Sequence, residues 1–153
     1  SWFVQAIENC SFRIVQYFPD AYPQLFDNEQ ITSYAIHFAY YNLINIERGI
    51  ENKNCERVKE FLFGMARERG IDTDQIIREA TNIYIRSNQI QQQAQMLKEL
   101  VRADNADLLA QKLNEAGHPG ARYIVDAMEN CSFQVIKLLF ERNQEDAFLM
   151  HAL

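Results

Sequence analysis

The chain has 153 residues, which is the length of one ordinary domain, and 48% of them are apolar. Because 24% are charged, the composition excludes both a disordered and a fibrous protein. The net charge of −6 repels phosphate, so we expect no nucleic-acid binding, and no apolar run is long enough to insert into a membrane.

Helical patterns occupy most of the chain, and no segment alternates as a strand would. A first helix begins near Ser11 and is expected to stop at Pro19, before a loop over 20–29. Residues 30–53 have helical spacing with many aromatic side chains, and Gly70 is expected to end the next helix. The pattern continues in four further segments. They are a helix capped by Asp72 and Gln75, a helix over 90–101, a helix over 105–116 and an apolar helix over 147–153.

An internal repeat organises this pattern. Residues 6–12 read AIENCSF and residues 127–133 read AMENCSF, and a weaker copy begins with GIEN at Gly49. Three windows align without gaps, 1–18, 44–61 and 122–139, and the spacing predicts an eroded fourth unit near 83–100. Small residues recur where two helices would cross, and apolar residues recur on the faces that would meet the next unit.

We therefore predict an all-α fold of stacked antiparallel helix hairpins with extended connections and no substantial sheet. The prediction is one helical-repeat domain over 1–153, as part of a longer protein. The apolar end at 147–150 would then contact further repeats or a second copy of the chain.

The last window resembles the core of the ankyrin repeat, which reads approximately Ala-Ala-x-x-Gly-His-x-Glu-Val-Val-Lys-Leu-Leu-Leu-Glu. Here 127–141 read AMENCSFQVIKLLFE. The family's Thr-Pro-Leu-His opening and its Gly-His pair are absent, and the spacing exceeds its 33 residues. The resemblance implies a divergent ankyrin-like α-solenoid that binds other proteins in eukaryotic cells, viruses or effectors of intracellular bacteria.

The ankyrin glycine ends the first helix of each repeat with a left-handed residue. In this chain Asn9, Asn52 and Asn130 precede the corresponding position. Asparagine tolerates the left-handed region better than other non-glycine residues. We therefore expect asparagine to stop the helix one residue early.

The cysteines are three, odd in number and widely spaced: Cys10, Cys55 and Cys131. This spacing predicts neither a disulfide framework nor a zinc site, and it favours a reducing compartment. We expect a cytoplasmic protein, in the host cytosol if it comes from a pathogen.

The chain contains no motif for a nucleophile, a phosphate loop or a metal, so we predict no enzyme activity, catalytic residue, cofactor or metal site. The expected function is protein–protein interaction through columns of repeat positions on one exposed face. The candidate partner-binding residues are Trp2, Gln5, Glu8, Arg48, Glu51, Tyr123, Asp126 and Glu129.

Two alternatives stay open. The chain could be a regulatory or substrate-recognition segment of a larger enzyme or pathogen effector. Its aromatic residues at 34–41 would then line a deep pocket in which His37 meets an acidic residue. It could also be a structural or targeting piece of a larger protein, with Trp2 covering the end of the array.

Overall fold

The structure, a computed structural model, describes residues 1–146, which form eight α-helices and no strand. The all-α prediction is therefore confirmed for these residues, while the apolar segment 147–153 lies outside them. The helices are α1 (Trp2–Glu8), α2 (Phe12–Ala21), α3 (Asn28–Glu47), α4 (Lys53–Glu68), α5 (Thr73–Arg102), α6 (Ala106–Ala116), α7 (Ile124–Glu129) and α8 (Phe133–Arg142). Short 3₁₀ turns cover Pro23–Leu25 and Ala121–Tyr123.

The chain divides into two compact units, Ser1–Asn88 (unit 1) and the residues from Gln89 onward (unit 2). The eroded repeat expected near 83–100 is not a hairpin, because these residues lie inside α5, a helix of 30 residues. The hairpin turn that follows α5 comes later, at 103–105.

Unit 1 consists of two hairpins, α1–α2 and α3–α4, and the first turns of α5. Helix α1 packs on α3, and α2 packs on α4. The Phe3 ring meets the Tyr34 ring edge to face at 4.7 Å, and the Phe12 ring meets Phe61 at 6.4 Å. Corresponding helices of the two hairpins thus lie side by side around one hydrophobic core.

Unit 2 contains the end of α5, then α6 and the α7–α8 hairpin, and α8 packs against both α6 and α7. Gly120 enters the last hairpin with a φ of +83°. A Cβ atom there would lie 2.8 Å from the Leu113 side chain and 2.9 Å from Leu139, so the close approach of the turn to the core requires glycine.

The helix stops differ from the prediction. Asn9 and Asn130 have φ of −85° and −91°, whereas Cys10 and Cys131 have φ of +52° and +54°. The left-handed residue is therefore the cysteine that occupies the glycine position of the ankyrin motif. At each stop the next residue donates its N–H to the carbonyl five residues back, which satisfies the helix end (Ser11 to Ala6, for example).

The middle copy is out of register with the outer two. Gly49, aligned with Ala6, is itself the left-handed residue of its turn, with φ of +69°. Asn52, aligned with Asn9, is instead extended and caps α4 by accepting from the N–H of Asn54. The α3–α4 connection is thus longer than the α1–α2 connection, and an ungapped alignment cannot represent it.

Three local expectations have mixed outcomes. Pro19 lies inside α2, which continues to Ala21, so it does not stop that helix. Asp72 does cap α5, since its carboxylate accepts from the N–H groups of Asp74 and Gln75, and Gly70 does adopt the left-handed conformation, with φ of +73°.

Candidate protein-binding surfaces

The outer side of α1 carries the most exposed large apolar side chain described, Trp2, which is 85% exposed. Gln5, one turn later, is exposed, and Glu8, a further turn on, is half-buried. These three residues form one stripe because positions three apart share a helix face. We call the stripe the α1 surface.

Glu8 also joins α1 to α3. Its Oε1 lies 3.0 Å from Nε2 of His37, and both side chains are about one third exposed. The His37 ring stacks on Tyr41, with 6.2 Å between ring centroids. The carboxylate therefore has an internal partner and is only partly available to a second protein.

Arg48 and Glu51 lie in the α3–α4 turn, and both are exposed. Neither makes an ion pair within residues 1–146. Both side chains are therefore accessible on unit 1.

Tyr123 is not on an exposed face, contrary to the column that aligned it with Trp2. It is 3% exposed, lies in the core of unit 2 and contacts the His118 ring. The cause is the 3₁₀ turn at Ala121–Tyr123, because Trp2 lies within regular α-helix and Tyr123 does not. Of its neighbours, Asp126 is half-buried and Glu129 is exposed.

The aromatic stretch 34–41 does not line the deep pocket considered above. Phe38 is buried against Phe63, and the Tyr34 ring packs on Phe3, so these rings fill the core of unit 1. His37 does meet an acidic residue, as the alternative required, but it does so on the outside of that core.

Cys10 and Cys55 are joined by a disulfide, with an S–S distance of 2.06 Å and 4.9 Å between Cα atoms. The prediction of unpaired cysteines is therefore wrong for this pair, and the structure does not support the reducing compartment inferred from it. The spacing misled because the α1–α2 turn and the first turn of α4 meet only through packing of α2 on α4. Cys131 is free and exposed.

Beside this disulfide, a groove of about 550 Å³ runs between the first turns of α2 and α4. Sequence analysis missed it. Its lining carries two arginines, three neutral polar residues and two apolar residues, and no carboxylate. The residues are Ser11, Phe12, Arg13, Ile14, Gln16, Asn54 and Arg57. The only available signal was Arg13, which replaces Gln134 of the last repeat.

One titratable group outside these surfaces is perturbed. The Tyr84 hydroxyl on α5 donates a hydrogen bond to Glu47 at the end of α3. This bond, reinforced by the negative charge of Glu47, raises the pKa of Tyr84 above its ordinary value.

No described helix is both long and apolar enough to cross a membrane. Among residues 1–146, no group of three histidine, cysteine or acidic side chains is arranged to hold a metal ion. Comparison with protein-family models, curated proteins and solved structures finds no match to this chain.

Proposed function

We propose that the chain is a non-enzymatic interaction module of the ankyrin-like repeat type. It binds a partner protein through the α1 surface and through Arg48 and Glu51, which are exposed in the α3–α4 turn of the same unit. The exposure of Trp2 is the observation that carries the proposal. Burying a tryptophan removes a large apolar area from water at little conformational cost, and tryptophans are enriched among the residues that dominate interface energies.

The packing in unit 1 supports the same function. Corresponding helices of successive hairpins lie side by side, which is the arrangement by which repeat proteins present an extended surface. Glu8 lies on the same stripe as Trp2, and Glu51 is an exposed acid of the same unit, so these residues suit a partner with basic and apolar groups. In unit 2, Asp126 and the exposed Glu129 are proposed as contact residues of that unit.

The test begins with a photo-crosslinking amino acid in place of Gln5. Proteins captured from a cell extract are identified, and the candidate is purified. Trp2 is the only tryptophan in the chain, so its emission reports directly on this surface. Titration with the candidate should shift Trp2 emission to the blue as the ring leaves water.

Trp2→Ala should weaken binding by about 2 kcal/mol, as expected for an interface hot spot. Ile90→Ala, which removes another exposed large apolar side chain, from unit 2, should leave affinity unchanged. Reversing Glu8, Glu51 and Glu129 to Lys should weaken it further. A captured protein that binds W2A as tightly as the original chain, with no change in Trp2 emission, contradicts the proposal.

A further inference from the structure

Two copies of the tetrapeptide Asn-Cys-Ser-Phe begin helices in this chain, one before α2 and one before α8. In unit 2 two donors at the helix start have partners. The Ser132 hydroxyl donates to the carbonyl of Val101, with a distance of 2.5 Å. The N–H of Val135 donates to the carboxylate of Asp104, at 2.9 Å. The start of α8 is thus hydrogen-bonded to a carbonyl in the last turn of α5 and to a carboxylate in the turn between α5 and α6.

The first turn of α2 has the same donors and none of these partners. Ser11 corresponds to Ser132, and its hydroxyl forms no capping bond. Ile14 corresponds to Val135, and its N–H has no acceptor in the part of the chain that the structure describes. Val135 is fully buried, whereas Ile14 is 47% exposed.

The groove that opens on this turn is positively charged, although the chain as a whole is acidic. Arg13 comes from α2 and Arg57 from α4, and neither forms an ion pair with a carboxylate within residues 1–146. The Arg57 guanidinium lies over the Phe12 ring, 6.0 Å from its centroid, which orients it. The two guanidinium groups therefore complement a negative group beside the first turn of α2, where the N–H of Ile14 matches the N–H by which Val135 binds Asp104.

We propose that the groove between α2 and α4 binds a carboxylate-bearing turn of a partner protein, in the way that α8 binds the turn containing Asp104. A partner aspartate or glutamate accepts from the N–H of Ile14 and from Arg13 and Arg57. A neighbouring main-chain carbonyl accepts from Ser11, and an apolar side chain covers Ile14. The evidence is the matching N–H of Val135, which donates to a protein carboxylate rather than to a free anion, together with the two arginines of the groove.

This site is separate from the α1 surface. None of its lining residues belongs to that surface, and Trp2 begins α1 whereas the groove lies beyond the end of that helix. The two proposals can therefore fail independently. W2A tests the first and leaves the groove intact, whereas arginine variants test the second.

The probe is a synthetic peptide with the sequence of residues 94–116, which includes the natural counterpart of the proposed ligand, Asp104. It is added to the ¹⁵N-labelled full chain, and amide shifts are followed by NMR. We expect the amides of Phe12, Arg13 and Ile14 to shift. The same peptide carrying D104N should bind about tenfold more weakly, because it lacks the charge.

Arg13→Gln makes the first copy resemble the last repeat at this position, and Arg57→Gln removes the second guanidinium. The double variant should lose at least about tenfold in affinity. Arg67→Gln is the matched control, since Arg67 is exposed on the same helix as Arg57 but lies outside the groove. Far-UV circular dichroism checks that every variant is folded.

Three outcomes overturn the proposal. One is the absence of shifts at the first turn of α2 with the peptide at millimolar concentration. Another is equal affinity for the parent and D104N peptides, or for the parent chain and the double variant. The third is inorganic phosphate producing the same shifts at the same concentration, which would make the groove a general anion site.

Discussion

The two copies of Asn-Cys-Ser-Phe hold neighbouring hairpins together by different residues of the same motif. In unit 1 the cysteine does so, through the disulfide between Cys10 and Cys55. In unit 2 the cysteine is exposed and the serine does so, through its bond to Val101. An identical tetrapeptide therefore does not fix how a repeat attaches to its neighbour, because the attachment depends on what the neighbouring turn offers.

The starts of α2 and α8 also differ in the partners that their donors have. At the start of α8, Ser132 is buried and donates to Val101, and the N–H of Val135 donates to Asp104. The start of α2 faces a groove with two arginines that form no ion pair within residues 1–146. The serine and the helix start that follows it thus join two hairpins in unit 2, whereas in unit 1 the cysteine joins them and the helix start is a candidate binding site.

The largest expected effect comes from removing the covalent joint. Cys10 and Cys55 are 45 residues apart in sequence, and closing a loop of this length stabilises a fold by about 4 kcal/mol in the chain-entropy description. We expect C10S, C55S or reduction to lower the free energy of unfolding of unit 1 by up to about that amount.

Amide hydrogen exchange separates the two units in this test. Protection should fall at core residues of unit 1 such as Val15 and Val58, and stay unchanged at Val135 and Leu139 in unit 2. Cys131→Ser is the control, because that thiol is unpaired. Equal loss of protection in both units would contradict the assignment of the joint to unit 1.

The second comparison uses the paired serines. Ser132 is buried and bonded, so S132A should cost about 1.5 kcal/mol, for a lost buried hydrogen bond. Ser11 occupies the same position and forms no such bond, so S11A should cost less than about 0.5 kcal/mol. Urea unfolding of each variant, with exchange at Val15 and Val135, measures the two costs. Similar costs for S11A and S132A would mean that each serine stabilises only the helix that it begins, and that the bond from Ser132 to Val101 adds nothing.

Only some of these features of the two units could be predicted from the sequence. Helical spacing predicted the all-α fold, which is confirmed for residues 1–146 because it depends on local preference, whereas the equivalence of the outer hairpins within a repeat array stays a prediction. The disulfide, the burial of Tyr123 and the single helix over 73–102 were missed. Each of these features depends on which turns meet in the folded chain or on how many residues connect two helices. The pattern of apolar and polar residues specifies neither.

The candidate binding residues also divide into those that the sequence predicts and those that it does not. Exposure of Trp2, Gln5 and Glu129 could be predicted from helical periodicity. The groove could not, because its lining comes from two helices whose starts are about 40 residues apart in sequence and meet only when α2 packs on α4.

A smaller effect is expected from Asp104, whose carboxylate caps α8 from a neighbouring turn. Asp104 has φ of +53°, so glycine preserves the backbone while it removes the acceptor. D104G should therefore destabilise unit 2 by about 1 kcal/mol, the usual value of a helix cap. D104N keeps an acceptor and should cost less. Exchange at Val135 provides the measurement, and full protection in D104G would show that the cap contributes nothing.

The smallest effect concerns the helix stop and changes sign between adjacent residues. Cys131 is left-handed and exposed, so Cys131→Gly relieves an unfavourable backbone conformation without removing a contact. The gain is partly offset by the greater freedom of glycine in the unfolded chain, which leaves about 0.5 kcal/mol of stabilisation. Asn130, one residue earlier, has φ of −91°, and its amide donates to the carbonyl of Asp126. N130G should therefore destabilise unit 2. If N130G stabilised unit 2 and C131G destabilised it, asparagine would be the residue that stops the helix, and the left-handed assignment of Cys131 would be wrong.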